Sequence, residues 1–204
     1  MTSRKYRSRR LRSPNQPYSS TYSESMTKDK IKIVSLDPGT KHLGFASFVG
    51  IELTDAGVKS IRQGSEKVIV EHTAQVVSRM LDEKQPNYLV LEKNNFSQVR
   101  QNLRLVSTIA TIKYLASRRG IITYEYDLRT IRKEVCNDGN ASKRRVAEVL
   151  ITYFPELRIY LHSDKASTRQ YHWNMFDAVA VGMTFIRQHV DNALPIHYRN
   201  FSRV

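Results

Sequence analysis

IKIVSLDPGTKHLG, residues 31–44, carries an apolar strand directly into an acidic residue and then turns. Ile31, Ile33, Val34 and Leu36 form a near-continuous apolar run of strand length, the pattern of a central strand covered on both faces. Asp37 falls where that strand stops. Pro38 presets φ for a turn and Gly39 accepts positive φ, so the chain reverses into a second strand over 42–49. Asp37 is thereby presented beside a tight hairpin. Taken alone, an Asp before Pro-Gly is better explained as a turn cap than as a chemical group, so other carboxylates have to decide its role.

Beyond the hairpin, 51–62 holds a weakly patterned third strand. Ile69, Thr73, Val76, Val77 and Met80 then recur at helical spacing, predicting a helix over 66–83 that Pro86-Asn87 ends. Tyr88-Leu89-Val90-Leu91 reads as a second covered strand, and it too finishes in a carboxylate, Glu92. A long helix is expected over 99–119, capped by Ser97, largely buried through Leu103, Val106, Ile109, Ala110, Ile112 and Leu115, and stopped at Gly120. A strand at 121–126, a short helix at 128–135, a turn at 137–140 and a helix from about 142 closed by Pro155 follow. Residues 157–168 show no period. The last helix is expected over 170–190, with Phe176, Val179, Ala180, Met183, Ile186 and Val190 as its apolar stripe and Asn174 and Asp177 in its first turns. Strands first, then strands alternating with helices, describe an α/β domain with a mixed sheet and helices on its faces.

The 204 residues suffice for one domain, expected over 31–192, with tails at 1–30 and 193–204. No run of apolar residues is long enough for a transmembrane helix and no secretory segment opens the chain, so a soluble intracellular protein without membrane contact is expected. The single cysteine, Cys136, excludes an internal disulfide, and no Cys/His cluster has zinc spacing. The formal net charge of +14 favours a polyanionic partner, with nucleic acid foremost. Arg4, Lys5, Arg7, Arg9, Arg10 and Arg12, interleaved with Ser and followed by Pro14 and Pro17, cannot build a core. Residues 1–30 are therefore expected to be a disordered basic arm for phosphates, with a nuclear address or an organelle transit peptide as alternatives.

Within such a cationic chain, Asp37 and Glu92 end two buried strands, where ligands of open α/β sheets gather, and packing of the last helix on the sheet can bring Asp177 to the same edge. Asn174 lies three residues earlier, on the same helix surface. Each acid has an ordinary alternative: Glu92 could pair with an Arg, and Asp177 could sit as a charge at a helix terminus. Three acids held together repel unless neutralised, and hard divalent cations such as Mg²⁺ take oxygen ligands of this kind. In nucleases two such ions sit about 3.5 to 4 Å apart and assist in-line attack on phosphate.

The segment LDPGTKHLG, the strand ending in Glu92, the run YDLRTIRKEVCNDGNASKRRV over 126–146 and FDAVAVG over 176–182 together resemble the RuvC-like Holliday-junction resolvases, which include bacterial RuvC and related enzymes of poxviruses and other large DNA viruses. The resemblance spans about 31–190 in order and spacing. It implies a ribonuclease H-like fold, a homodimer acting on branched four-way DNA junctions, and Mg²⁺- or Mn²⁺-dependent hydrolysis of symmetric phosphodiesters with two ions per site, as in such nucleases.

By that resemblance Asp37, Glu92 and Asp177 match the metal-binding carboxylates and Lys143 a lysine near the scissile phosphate. Arg132 stands where bacterial members have another lysine, keeping the charge but not the compact ammonium. Asn174 stands where bacterial members usually have a fourth acid, so it offers a neutral oxygen, and His172 is a neighbour that could assist. Arg100, Arg104, Arg118, Arg119, Arg129, Arg144, Arg145 and Arg169 could line a DNA path, and Phe96, after Asn94 and Asn95, could wedge or stack at the junction. The apolar surface of the 99–119 helix is the first candidate for the dimer interface, with core burial as the alternative account of it. Two rival functions stay open: a nuclease of the same fold acting on flaps, hybrids or transposon ends, and a non-catalytic junction-binding protein.

Overall fold

The computed structural model describes residues 31–93, 103–161 and 166–190, without the side chains of 166–170. Its sheet is built from β1 (Lys32–Asp37), β2 (His42–Val49), β3 (Glu52–Ser60), β4 (Tyr88–Glu92) and β5 (Ile122–Tyr126) in the order β3-β2-β1-β4-β5. Short turns make β1, β2 and β3 an antiparallel meander, whereas β4 and β5 run parallel to β1 because helices intervene before each. β1 is therefore central, as its apolar run requires, and the mixed sheet flanked by helices is the architecture expected from the sequence.

The two sides of the sheet are separated residue by residue along β1. Val34 and Leu36 join the core beneath α1 (Glu66–Lys84) and α2 (Leu103–Ser117). Ile33 faces the larger core, formed with α3 (Leu128–Cys136), α4 (Lys143–Tyr153) and α6 (Ala166–Phe185), while Ser35 donates its hydroxyl to the Ala178 carbonyl at 2.8 Å. Asp37 continues that second parity, so the strand period alone directs it toward α6. Ser65 caps α1 through the Val68 amide, and Gln85 ends the helix in the left-handed region at φ 45°.

Three expectations change. α2 buries only Thr108, Ile112 and Ala116, while Leu103 and Tyr114 are 70% and 62% exposed, so the helix is one-sided rather than largely buried. The aperiodic 157–168 stretch takes in the end of a 3₁₀ turn (Pro155–Leu157), α5 (Arg158–Leu161) and the beginning of α6. α6 starts at Ala166 rather than 170 and ends at Phe185 in a π-helical turn (Ile186–Val190). Asp177 consequently lies well inside the helix, which removes the helix-terminal explanation of its charge. The two tails and Ser97, like residues 94–102 generally, lie outside the described residues. Among the described residues no helix is long and apolar enough to cross a membrane.

Candidate active site

Parallel register brings the first two acids together. Leu36 of β1 lies beside Leu91 of β4, so the next residues, Asp37 and Glu92, emerge as neighbours at the carboxyl edge of the sheet on the α6 side. α6 can approach because two glycines leave room for it. Gly44 pairs with Asp37 across the β1–β2 ladder, and a Cβ there would lie 1.9 Å from the Asn174 carbonyl oxygen. A Cβ at Gly182 would lie 2.2 Å from the Phe48 ring and 2.7 Å from the Ser35 hydroxyl. Asp177 sits between these two close approaches, only 8% exposed.

The resulting cluster is short of positive charge. Burial, followed by the charges of Asp177 and Glu92, pushes the Asp37 carboxyl up to about 8 despite Lys143. Burial and the Asp177 charge push Glu92 up to about 7, with Lys143 and Arg132 opposing. Asp177 is also raised, by burial, although Lys143 and Arg132 draw it down. Lys143 is the first residue of α4, whose start is set by the Ser142 hydroxyl accepting from the Arg145 amide, and its Nζ reaches Asp177 Oδ2 at 2.5 Å. Burial acts to lower the Lys143 pKa, but the attraction and hydrogen bond of Asp177, with Asp37 and Glu92 behind it, outweigh burial and hold it above its ordinary value. Arg132 on α3 is half-buried, and its Nε has no hydrogen-bond partner among the described residues.

Buried anionic oxygens with one ammonium against them suit a hard divalent cation. Asp37, Glu92 and Asp177 would hold it, and Asn174 could add a neutral oxygen. Among the described residues no three His, Cys, Asp or Glu side chains already form a metal-binding group; the cation standing at Asp177 is the Lys143 ammonium.

The other expected residues separate into groups. Asn174 is brought to the site by its backbone and Cβ against Gly44. His172 lies instead against Tyr160 and Tyr171, with ring centroids 4.8 and 5.4 Å away, and burial lowers its pKa. Arg104, Arg118 and Arg145 are exposed, Arg129 is exposed with its Cγ close to Gly139, and Arg144 pairs with Glu148 at 2.9 Å. Arg119, just after α2, fastens that helix to α1 through Asp82 at 2.8 Å, so its guanidinium has a structural partner. Phe96, Arg100, Asn94 and Asn95, and the side chain of Arg169, lie outside the described residues.

Sequence reading missed Gly44, Gly182, Ser35 and Tyr126. Gly44 had a signal, since Gly inside an apolar strand marks close backbone approach. Tyr126 is the β5 neighbour of Glu92; its hydroxyl is 2.9 Å from His189 Nε2, and burial pushes its pKa up to about 12.

Comparison with known proteins follows the same elements. A family model described as Crossover junction endodeoxyribonuclease RuvC matches residues 33–185. A curated relative of that description from Protochlamydia amoebophila (strain UWE25) is 30% identical over 126 residues, covering 58% of this chain and 74% of the relative. The solved Thermus thermophilus RuvC in complex with Holliday junction substrate matches with a TM-score of 0.62 and 19% identity, over 81% of this chain and 99% of that one. Fowlpox virus resolvase, solved with substrate Holliday junction DNA, gives a TM-score of 0.51 and 17% identity, over 78% and 98% of the two chains. These structural likenesses establish the ribonuclease H-like fold. Since the family match runs from the central strand to the end of α6, the chain belongs to the RuvC family of crossover junction endodeoxyribonucleases.

Proposed function

We propose that this protein resolves four-way DNA junctions by hydrolysing symmetric phosphodiester bonds, with Asp37, Glu92 and Asp177 as its metal-holding acids and Lys143 beside the scissile phosphate. The observation that carries this reading is the convergence of two strand-end carboxylates and one buried helix carboxylate on a single sheet edge, within a chain of this family. When bound, Mg²⁺ or Mn²⁺, two per site on this reading, neutralises the acids, activates water and stabilises the leaving oxygen. Lys143, with its side chain 51% exposed, extends from the start of α4 over the cluster and can face a phosphate oxygen as well as Asp177. Arg132 supplies a second positive group whose planar fork matches phosphate. Asn174 holds the α6 backbone against Gly44 and offers an uncharged oxygen.

A two-fold homodimer suits the substrate, since an isologous pair presents one site to each of two symmetry-related strands. The exposed Leu103 and Tyr114 of α2 support an interface on that helix. The basic residues of 1–30 and the exposed arginines Arg104, Arg129 and Arg144 add phosphate affinity. Such a substrate places the protein's work inside a cell.

The test is incubation of the protein with a labelled four-way junction and Mg²⁺ or Mn²⁺, beside Asp37→Asn and Glu92→Gln. Paired symmetric cuts are expected from the wild type, with cleavage in either variant lower by on the order of 10²–10³-fold. Binding without cleavage would leave a junction-binding protein. Equal cutting of linear duplex would leave a nuclease of another specificity.

A further inference from the structure

Four rings form a continuous row beside the acidic cluster. His42, at the start of β2, meets Tyr171 edge-on with centroids 5.1 Å apart. Tyr171 meets His172 at 5.4 Å, and His172 tilts against Tyr160 of α5 at 4.8 Å. The row is anchored at Tyr171, whose hydroxyl donates to the Val58 carbonyl of β3 at 2.9 Å. The His42 ring is held by packing: its Nδ1 is buried without a hydrogen-bond partner among the described residues.

Placement connects the row to the site. His42 is two residues from Gly44, the ladder partner of Asp37, and Tyr171 lies three residues before Asn174 on α6. Ser35 meets Ala178 while Gly44 meets Asn174, so α6 runs opposite to β1 and its earlier residues reach past the sheet edge that carries the acids. The rings therefore lead away from the acids on the α6–β2 side, whereas Arg132 and Lys143 approach from α3 and α4.

The most enclosed rings of the core, Phe48, Phe176 and Phe185, are no more than 2% exposed, and Tyr160 packs against the same core from its edge. All four members of the row are instead partly exposed. Partly exposed flat side chains next to a phosphate-cutting site are groups on which unpaired bases stack, whatever their sequence. We propose that His42, Tyr171, His172 and Tyr160 form a stacking platform for unpaired nucleobases of the strand that passes the cut site. This deepens the junction-resolving reading and rests on it for the source of the bases.

The experiment uses four-way junctions carrying 2-aminopurine in turn at each nucleotide around the exchange point, bound by the full chain with Ca²⁺ in place of Mg²⁺. Stacking quenches the probe. Quenching at one or two positions is expected for the wild type and for Tyr160→Phe and His172→Phe, which keep a flat ring. Tyr160→Leu and His172→Leu are expected to abolish it and weaken junction binding about fivefold or more. Circular dichroism of the Phe and Leu variants separates this loss from misfolding, and His172→Gln and Tyr160→Gln, which also remove the ring, replace any Leu variant that unfolds. Quenching unchanged in folded Leu variants, or absent from the wild type, overturns the platform. Cleavage assayed separately in Mg²⁺ distinguishes the two readings: normal cutting without quenching removes the platform alone, and quenching without cutting removes hydrolysis alone.

Discussion

Asp37 shows how a residue's position in the fold sets its protonation. Its carboxyl is pushed up to about 8, first by burial and then by Asp177 and Glu92, and Glu92 reaches about 7. In an unfolded chain such carboxyls ionise near pH 4. Between about pH 4 and about pH 8 the folded, cation-free protein thus holds more protons than the unfolded one, so the stability these groups contribute is full at the acidic end and lost as pH rises. Melting temperature measured in chelator is expected to fall across that range. Asp37→Asn should flatten the slope and stabilise the protein at pH 8 by on the order of 2 kcal/mol; a wild-type curve that rises with pH would contradict the burial of these acids. A cation must displace the same protons, so added Mg²⁺ is expected to raise the melting temperature more at pH 8 than at pH 6. Asp37 and Glu92 could be picked out from sequence because each ends an apolar strand. Arg119 could not be separated from the other arginines, because its partner Asp82 lies on another helix and no local pattern joins them.

Among the elements, α6 depends most on what lies under it. Gly44→Ala would drive a methyl into the Asn174 carbonyl, and neither backbone can yield without moving α6 relative to β2. A destabilisation of about 1–3 kcal/mol is expected by chemical denaturation. Cleavage should fall by more than this loss of folded protein accounts for, because Asp177 moves with its helix. α2 supports a different prediction. Its sequence has a wide apolar face, but α1 covers only the strip of Thr108, Ile112 and Ala116. If the remainder is a dimer interface, Tyr114→Glu should give a folded monomer by sedimentation and unpaired nicks in place of paired cuts; an unchanged dimer would place the interface elsewhere. The start of α6 escaped sequence reading because 157–168 has no repeating apolar spacing, and tertiary packing, not local pattern, decides where that helix begins.

For the whole molecule, charge and sheet order act at different ranges. With a net charge of +14, junction affinity should fall steeply with salt. Replacing Arg4, Arg7, Arg9 and Arg10 with Gln in the full chain is expected to lower the slope of log affinity against log salt by about 1 to 4, if the arm touches phosphates. Fluorescence anisotropy between 50 and 200 mM salt measures this, and an unchanged slope would remove the arm from the interface. The class of the fold was legible from strand and helix order; the β3-β2-β1-β4-β5 order follows only when the meander and the parallel crossovers are assembled.

The near-contact of α6 with the sheet, at Gly44 of β2 and against the Phe48 and Ser35 side chains at Gly182, bears on how substrates are chosen. A helix seated this closely has little slack with which to adapt its carboxylate to differently shaped DNA. The adjustment is left to the nucleic acid, whose strand must bend or unstack until its phosphate meets a fixed set of groups. On the proposed reading selectivity then becomes a property of the substrate's mechanics: a branch point that opens easily is expected to be cut faster than a stiff duplex with the same phosphates.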